Sequence, residues 1–124
     1  MDVSAADILL IALGGAIGAV LRFSVGQVVN TEQFPWATFA VNILGTFFLA
    51  LITFSFPGIP SAAKLFLFTG FFGAFTTMST FSLETVNLYF DGRIADAAFN
   101  FILNAGLCVV GAICGRYAGL AIVG

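Results

Sequence analysis

Four apolar stretches, each long enough to cross a lipid bilayer, fill almost the whole of this 124-residue chain. They cover residues 4–26, 36–56, 62–90 and 95–123, and a helix needs about 20 apolar residues to span the hydrocarbon core. The short connections contain helix breakers such as Pro35, Pro57-Gly58 and Asp91-Gly92. The sequence therefore predicts an all-α membrane protein, with a single domain of four transmembrane helices over residues 1–124.

The composition excludes several other classes of protein. Only 8% of the residues are charged and 60% are hydrophobic, whereas a soluble domain carries about 25% charged residues. A net charge of −2 and the absence of a basic run give no reason to expect a nucleic-acid partner. The chain has no histidine, no nucleophile–base pair and no cluster of metal-binding side chains. We therefore predict that it is not an enzyme.

The basic residues are divided evenly between the two sides of the membrane. With four spans, Lys64 and Arg116 lie on the side of both termini, and Arg22 and Arg93 lie on the opposite side. The positive-inside rule then gives no preferred orientation. The chain can insert both ways, so two copies can pair antiparallel. The alternative is that acidic residues or a partner fix the orientation. The balanced charges favour a homodimer over a heterodimer with a paired homologue.

The third span carries an unusual density of hydroxyl groups near its centre. After Gly70 and Gly73, six hydroxyls follow within ten residues: Thr76, Thr77, Ser79, Thr80, Ser82 and Thr85. Hydroxyls that bond back to helical carbonyls bend a helix, so we predict a break over residues 73–78. Non-helical backbone at this depth must be buried in protein or line a polar cavity, and freed carbonyls suit a cation such as Na⁺. The alternative is a continuous helix that satisfies its own hydroxyls.

A few other polar side chains stand out within the spans. Asn42 is the only amide in the second span and, if buried, must find partners. Glu84 is either part of a polar pathway or an interfacial anchor. Arg22 is either an anchor that extends to the interface or an attractor for anions. Asn100 and Asn104 share one face of the fourth span, where they either hold helices together or line a pathway.

Three strings in the first three spans resemble the Fluc (CrcB) family of fluoride channels. They are Gly14-Gly15-x-x-Gly18-x-x-x-Arg22-Phe23, Thr38-Phe39-x-Val41-Asn42-x-x-Gly45-x-Phe47 and Gly70-Phe71-x-Gly73-x-x-Thr76-Thr77-Met78-Ser79-Thr80-Phe81-Ser82-x-Glu84. The third string is the most specific, and the fourth span matches only in character. The resemblance implies a channel that exports F⁻ passively across the plasma membrane. It also implies an antiparallel homodimer in lipid with a structural Na⁺ at its centre.

The resemblance also implies roles for individual residues. The backbone carbonyls of Gly73 and Thr76 from both subunits would hold the Na⁺, and Arg22 would be the cation of the vestibule. The predicted fluoride pathway consists of Asn42, Met78, Ser79, Thr80, Phe81, Glu84 and, from the fourth span, Asn104.

Two positions depart from the family pattern. Met78 stands where the family has a phenylalanine, and Ala74 stands where the family often has a glycine. A thioether lacks the fixed quadrupole of an aromatic ring, so we expect conduction to persist with altered coordination of the ion at position 78.

Two other functions compete with the channel. A small dual-topology multidrug exporter driven by protons would need a carboxylate embedded in the first span, and that span has only Asp7 at its edge. A non-catalytic assembly subunit would not need the central hydroxyls.

Overall fold

Four long helices form the architecture of this protein. The computed structural model describes residues 2–29 and 32–124. The helical spans are α1 (Ala5–Val28), α2 (Trp36–Ser55), α3 (Ser61–Phe90) and α4 (Ile94–Val123). All four are long and apolar enough to cross a membrane, and the described residues contain no strand. The predicted all-helical, multi-pass architecture is thus confirmed, with α1 extending two residues beyond the predicted end at residue 26.

The helix ends follow from local sequence signals. Ser4 caps α1 by accepting a hydrogen bond from the Asp7 backbone N–H at 3.2 Å, and the Asp7 carboxylate accepts one from the Ser4 N–H at 2.9 Å. This reciprocal capping satisfies two N–H groups that the first turn leaves unpaired. The α3–α4 turn needs a positive φ of 82° at Gly92, which glycine adopts without strain.

The helices pack in pairs through small residues. α1 lies along the first half of α3, and α2 lies along the C-terminal half of α4. Gly14 and Gly18 of α1 contact the α3 backbone. Across the other pair, Gly111, Gly115 and Gly119 of α4 face α2. Close backbone approach of this kind is typical of membrane helices, so the glycines spaced four residues apart in α1 and α4 are packing surfaces.

Gly70 provides a test of this packing. A methyl group at position 70 would lie 2.6 Å from the Ile11 carbonyl oxygen of α1, so α1 and α3 would have to separate. We expect Gly70→Ala to destabilise the folded protein by about 1–3 kcal/mol, as overpacking does in other cores. The matched control is Gly106→Ala, where the nearest atom is 3.9 Å away. Thermal unfolding in detergent measures both, and equal midpoints would contradict this prediction.

α3 consists of two helices joined end to end. Residues Leu65–Phe72 form a π-helix and Gly73–Phe75 a short α-helical turn, and the α-helix Met78–Phe90 follows the break. Between these helices, Thr76 (φ −86°, ψ 159°) and Thr77 (φ −150°, ψ 120°) are extended. The break is therefore narrower than the predicted 73–78, and the helix axis bends by only 13°.

α4 also contains a π-helical segment, Ile102–Leu107, and such segments are frequent at functional sites.

Candidate functional site

Asn42 of α2 holds the break in α3 through both backbone polar groups of Thr77. The Thr77 N–H donates to Asn42 Oδ1 at 2.8 Å, and Asn42 Nδ2 donates to the Thr77 carbonyl at 3.1 Å. In a continuous α-helix the Thr77 N–H would bond to the Gly73 carbonyl instead. The side chain from α2 thus replaces a helical hydrogen bond. The amide in the second span has found the partners that its burial requires.

Arg22 of α1 stabilises the other side of the break. Its Nε donates to the Ala74 carbonyl at 3.0 Å, which in a continuous helix would accept from the Met78 N–H. The sequence left Arg22 as either an interfacial anchor or an attractor for anions. The structure shows a third role for Arg22, because its side chain is half-buried and its guanidinium bonds to α3.

A threonine cap begins the second half of α3. The Thr77 hydroxyl accepts from the Thr80 N–H at 3.3 Å and donates to the Thr80 hydroxyl at 3.0 Å. Because Asn42 and this cap engage the Thr77 and Thr80 N–H groups, the carbonyls of Gly73 and Thr76 receive no backbone hydrogen bond across the break among the described residues. The sequence presents Thr77 as one of six hydroxyls and does not single it out as a cap, although threonine is a favoured N-cap residue.

Other hydroxyls of α3 bond within the helix. Thr76, Ser82 and Thr85 donate to the carbonyls four residues earlier, at 3.0, 2.9 and 2.8 Å. This is the back-bonding that weakens a helix. The alternative that the sequence left open, a helix that satisfies its own hydroxyls, therefore holds for these three side chains and fails at Thr77 and Thr80.

A row of carboxamides connects the break to α4. Asn42 Nδ2 donates to Asn104 Oδ1 at 2.8 Å, and Asn104 Nδ2 donates to both the side-chain oxygen and the carbonyl of Asn100 at 3.0 Å. Asn100 Nδ2 then donates to the Thr85 hydroxyl at 2.9 Å. Asn100 has no exposed surface. The asparagines of α4 therefore do hold helices together, and the sequence predicted their shared face but not their partners.

Two clefts, each with several polar side chains in its lining, lie on either side of the break. The first, which we call the Arg22 cleft, has a volume of about 230 Å³ and is lined by Arg22, Thr38, Thr77, Thr80 and Glu84, among others. The second, the Asn104 cleft, also measures about 230 Å³ and includes Asn42, Thr77, Met78, Phe81 and Asn104. Thr77 lines both clefts. The break is thus the wall that the two clefts share.

A third cleft, the outer cleft, lies beyond Glu84. It has a volume of about 280 Å³ and is lined by Glu32, Gln33, Glu84, Asp91 and Arg93, among others. Glu84 lines both this cleft and the Arg22 cleft. Its Oε1 is buried without a hydrogen-bond partner among the described residues, and its carboxyl group bonds to the Thr38 side chain. This placement favours a polar pathway over a simple interfacial anchor.

Comparison with known proteins identifies the family. The sequence matches the family described as "CrcB-like protein, Camphor Resistance (CrcB)" over residues 9–116. This chain belongs to the CrcB family. Relatives named fluoride-specific ion channel FluC include one from Magnetococcus marinus, which is 43% identical over 115 residues, 88% of this chain and 94% of the relative. Another, from Methanocaldococcus jannaschii, is 40% identical over 119 residues, 94% of this chain and 96% of the relative.

Membership of the CrcB family confirms two predictions. The resemblance found in the first three spans is correct, and the family match continues into α4 as far as residue 116. A further relative, from Elusimicrobium minutum, is 38% identical over 121 residues, 94% of this chain and 96% of its own, and bears the same channel name. The family is therefore one of ion channels rather than enzymes, as predicted.

Not every candidate residue of the CrcB motif faces a cleft in the single chain. Phe81 does line the Asn104 cleft, although it is only 7% exposed and its ring packs against Phe101 of α4 at 6.1 Å between centroids. Met78 lines the Asn104 cleft, yet 77% of it is exposed. Ser79 and Gly73 are also exposed, and Ser79 lines neither cleft beside the break. One face of the break therefore lies open on the surface of this chain.

Proposed function

We propose that this protein is a fluoride-selective channel of the plasma membrane through which F⁻ leaves the cell passively. The observation that carries this proposal is the break at Thr76 and Thr77, which lies at the centre of a membrane-spanning helix between two clefts that contain polar side chains. The names of the CrcB relatives support fluoride as the ion.

The clefts supply donors in an order that suits a small anion. The Arg22 guanidinium attracts the anion into the Arg22 cleft, where the Thr80 hydroxyl can replace water. In the Asn104 cleft, the Asn42 amide and the positive edge of the Phe81 ring offer further partners. Each step exchanges a water molecule of the hydration shell for a protein donor. Glu84 connects this route to the outer cleft.

An antiparallel homodimer would cover the open face of the break. Gly73, Met78 and Ser79 are exposed on the single chain, and carbonyls without hydrogen bonds cannot face lipid without a cost of several kcal/mol each. A second copy, inverted in the membrane, would bury this face against its own break. The even division of basic residues supports this arrangement, because it permits both orientations.

The same carbonyls suit a structural Na⁺ at the centre of such a dimer. Within the part of the chain that the structure describes, no group of three or more His, Cys, Asp or Glu side chains could hold a metal. The carbonyls of Gly73 and Thr76 lack their helical partners, and unwound carbonyls in membrane helices coordinate Na⁺. When bound, Na⁺ would offset the repulsion between the carbonyl oxygens that two copies bring together.

Flux from liposomes tests the proposed channel against its alternatives. Liposomes that contain the protein and are loaded with F⁻ and Cl⁻ should release F⁻ and retain Cl⁻, without a proton gradient. Proton movement coupled to an organic cation, without F⁻ release, would indicate the exporter. Absence of all flux would indicate an assembly subunit. Cross-linking in lipid tests the dimer separately, and detection of monomers alone would remove the basis for a shared Na⁺ site.

Met78 offers a test of the residue that departs from the family pattern. We expect Met78→Phe to conduct fluoride, with the F⁻ to Cl⁻ flux ratio changed about two- to tenfold, because a thioether has no positive ring edge and edge contacts between aromatic rings are worth about 0.5–1.5 kcal/mol. The matched control is Leu83→Phe, since Leu83 is also exposed on the second half of α3 but lines none of the three clefts. Rates and selectivity indistinguishable from those of the unmodified protein would show that position 78 does not contact the ion.

A further inference from the structure

Both N–H groups of the Asn42 side chain are already engaged. The Thr77 backbone N–H can only donate, so the atom of Asn42 that faces it must be the oxygen. The amide nitrogen is then fixed on the other side, where it donates to the Thr77 carbonyl at 3.1 Å and to Asn104 Oδ1 at 2.8 Å. Asn42 therefore has no N–H left for an ion in this arrangement.

The orientation of Asn42 sets the orientation of the asparagines that follow it. Asn104 must present its oxygen to Asn42, so its nitrogen points to Asn100, whose Oδ1 and carbonyl both accept at 3.0 Å. Asn100 in turn donates to the Thr85 hydroxyl, which donates to the Phe81 carbonyl at 2.8 Å. Reversing Asn104 would put two nitrogen donors face to face. The chain of hydrogen bonds thus runs in one direction.

The two asparagines of α4 differ because only one of them lines the Asn104 cleft. Asn104 lines the same cleft as Asn42 and Phe81. Asn100 has no exposed surface and does not line that cleft. An ion in the cleft can therefore contact Asn104 directly, while Asn100 acts through the amide that it holds.

We propose that Asn104 Oδ1 is an internal competitor for the anion, and that Asn100 is the positioning residue that holds it in place. This inference rests on the proposed fluoride channel. Of the two N–H groups of Asn42, the one that donates to the Thr77 carbonyl holds the break, so an anion in the Asn104 cleft binds the amide by taking over the N–H that Asn104 Oδ1 now accepts. Fluoride, with the highest charge density among the halides, accepts hydrogen bonds most strongly and displaces the amide oxygen. A weaker acceptor such as chloride does not, so the competition contributes to selectivity.

Asn104→Leu tests this proposal directly in the full-length protein in liposomes. Without the competing oxygen, the half-saturating F⁻ concentration should fall about two- to tenfold, the factor that one ordinary hydrogen bond provides. Cl⁻ flux relative to F⁻ flux should rise by a similar factor. Asn104→Ala is the second variant, to be used if the leucine does not fit, and it should shift both quantities in the same direction.

Asn100→Leu distinguishes positioning from general support. Because Asn104 would keep only the Asn100 carbonyl as acceptor, we expect a smaller shift in the same direction as that of Asn104→Leu. The double variant should behave like Asn104→Leu alone. A purely structural role for Asn100 would lower the amount of active protein and leave the half-saturating F⁻ concentration and the Cl⁻ to F⁻ ratio unchanged.

Three results would overturn the proposal. In the first, the Asn104 variants conduct F⁻ with unchanged half-saturation and selectivity. In the second, correctly assembled Asn104→Leu and Asn104→Ala conduct no F⁻, which would make Asn104 a required ligand. In the third, Asn100→Leu shows only the loss of active protein expected of structural support. Failure of the unmodified protein to release F⁻ is a separate outcome, which would refute the proposed function itself.

Discussion

Asn42→Leu is expected to reduce fluoride flux by at least about a hundredfold and to destabilise the folded protein by about 2–4 kcal/mol. The substitution removes both bonds to Thr77 and the bond to Asn104. A net hydrogen bond contributes about 1 kcal/mol, and a buried group left without its partner costs about 1–3 kcal/mol. The flux falls further because the amide that would contact the anion is lost, at tenfold for each 1.4 kcal/mol.

Measurement of both quantities separates the two effects of this substitution. Flux is measured in liposomes at equal amounts of folded protein, and stability is measured by thermal unfolding in detergent. Thr53→Val is the matched control on the same helix, because the exposed Thr53 hydroxyl bonds only to the Leu49 carbonyl of its own helix. We expect that control to change flux little. Flux through Asn42→Leu within threefold of the unmodified protein would show that the break does not depend on the amide.

The sequence predicted the spans well because their signal is local. Apolar length decides which segments enter the membrane, and Pro35 and the Asp91-Gly92 turn mark two of the connections. The capping of α1 by Ser4 is also a short-range pattern. The π-helical segments could not be predicted from Leu65–Phe72 or Ile102–Leu107, since neither segment differs in pattern from an ordinary apolar helix.

The sequence predicted that α3 is broken but not how far the break extends, because residues distant in the sequence fix its position. Glycines and hydroxyls weaken the whole stretch over residues 73–78, but only Thr76 and Thr77 are extended. Asn42, 35 positions before Thr77, supplies the hydrogen bonds at this point, and Arg22, 52 positions before Ala74, engages the carbonyl there. No window of local sequence contains those partners, so the sequence could indicate a weak region without locating the break.

The structure of a single chain likewise accounts for the placement of some predicted pathway residues but not of others. Asn42, Phe81 and Asn104 meet in one cleft within a single chain, whereas Met78 and Ser79 lie largely on its surface. Periodicity places Ser79 on a face of α3 but does not show what covers that face. The predicted roles of Gly73, Met78 and Ser79 therefore depend on the proposed second copy of the chain, and the interactions within one chain do not determine them.

Arg22→Ala is expected to reduce fluoride flux about ten- to a hundredfold. One guanidinium both bonds to the Ala74 carbonyl and supplies positive charge to the Arg22 cleft. A hydrogen bond from a charged group contributes about 1.5–3 kcal/mol, which corresponds to this range. Arg22→Lys should give an intermediate flux, since lysine keeps the charge but lacks the planar donor geometry of arginine.

Ionic strength separates the two contributions of Arg22. Salt screens attraction between a partly exposed charge and an approaching ion, so flux through the unmodified protein and through Arg22→Lys should fall as an inert salt is added. Flux through Arg22→Ala should depend much less on salt. Arg116→Ala is the matched control, because it removes the same charge from a guanidinium that lies over the Phe54 ring at 4.9 Å and lines neither cleft beside the break. If Arg22→Ala kept the full salt dependence, Arg22 would act on the break alone, and the charge that attracts the anion would have to lie elsewhere, with Arg93 in the outer cleft as the next candidate.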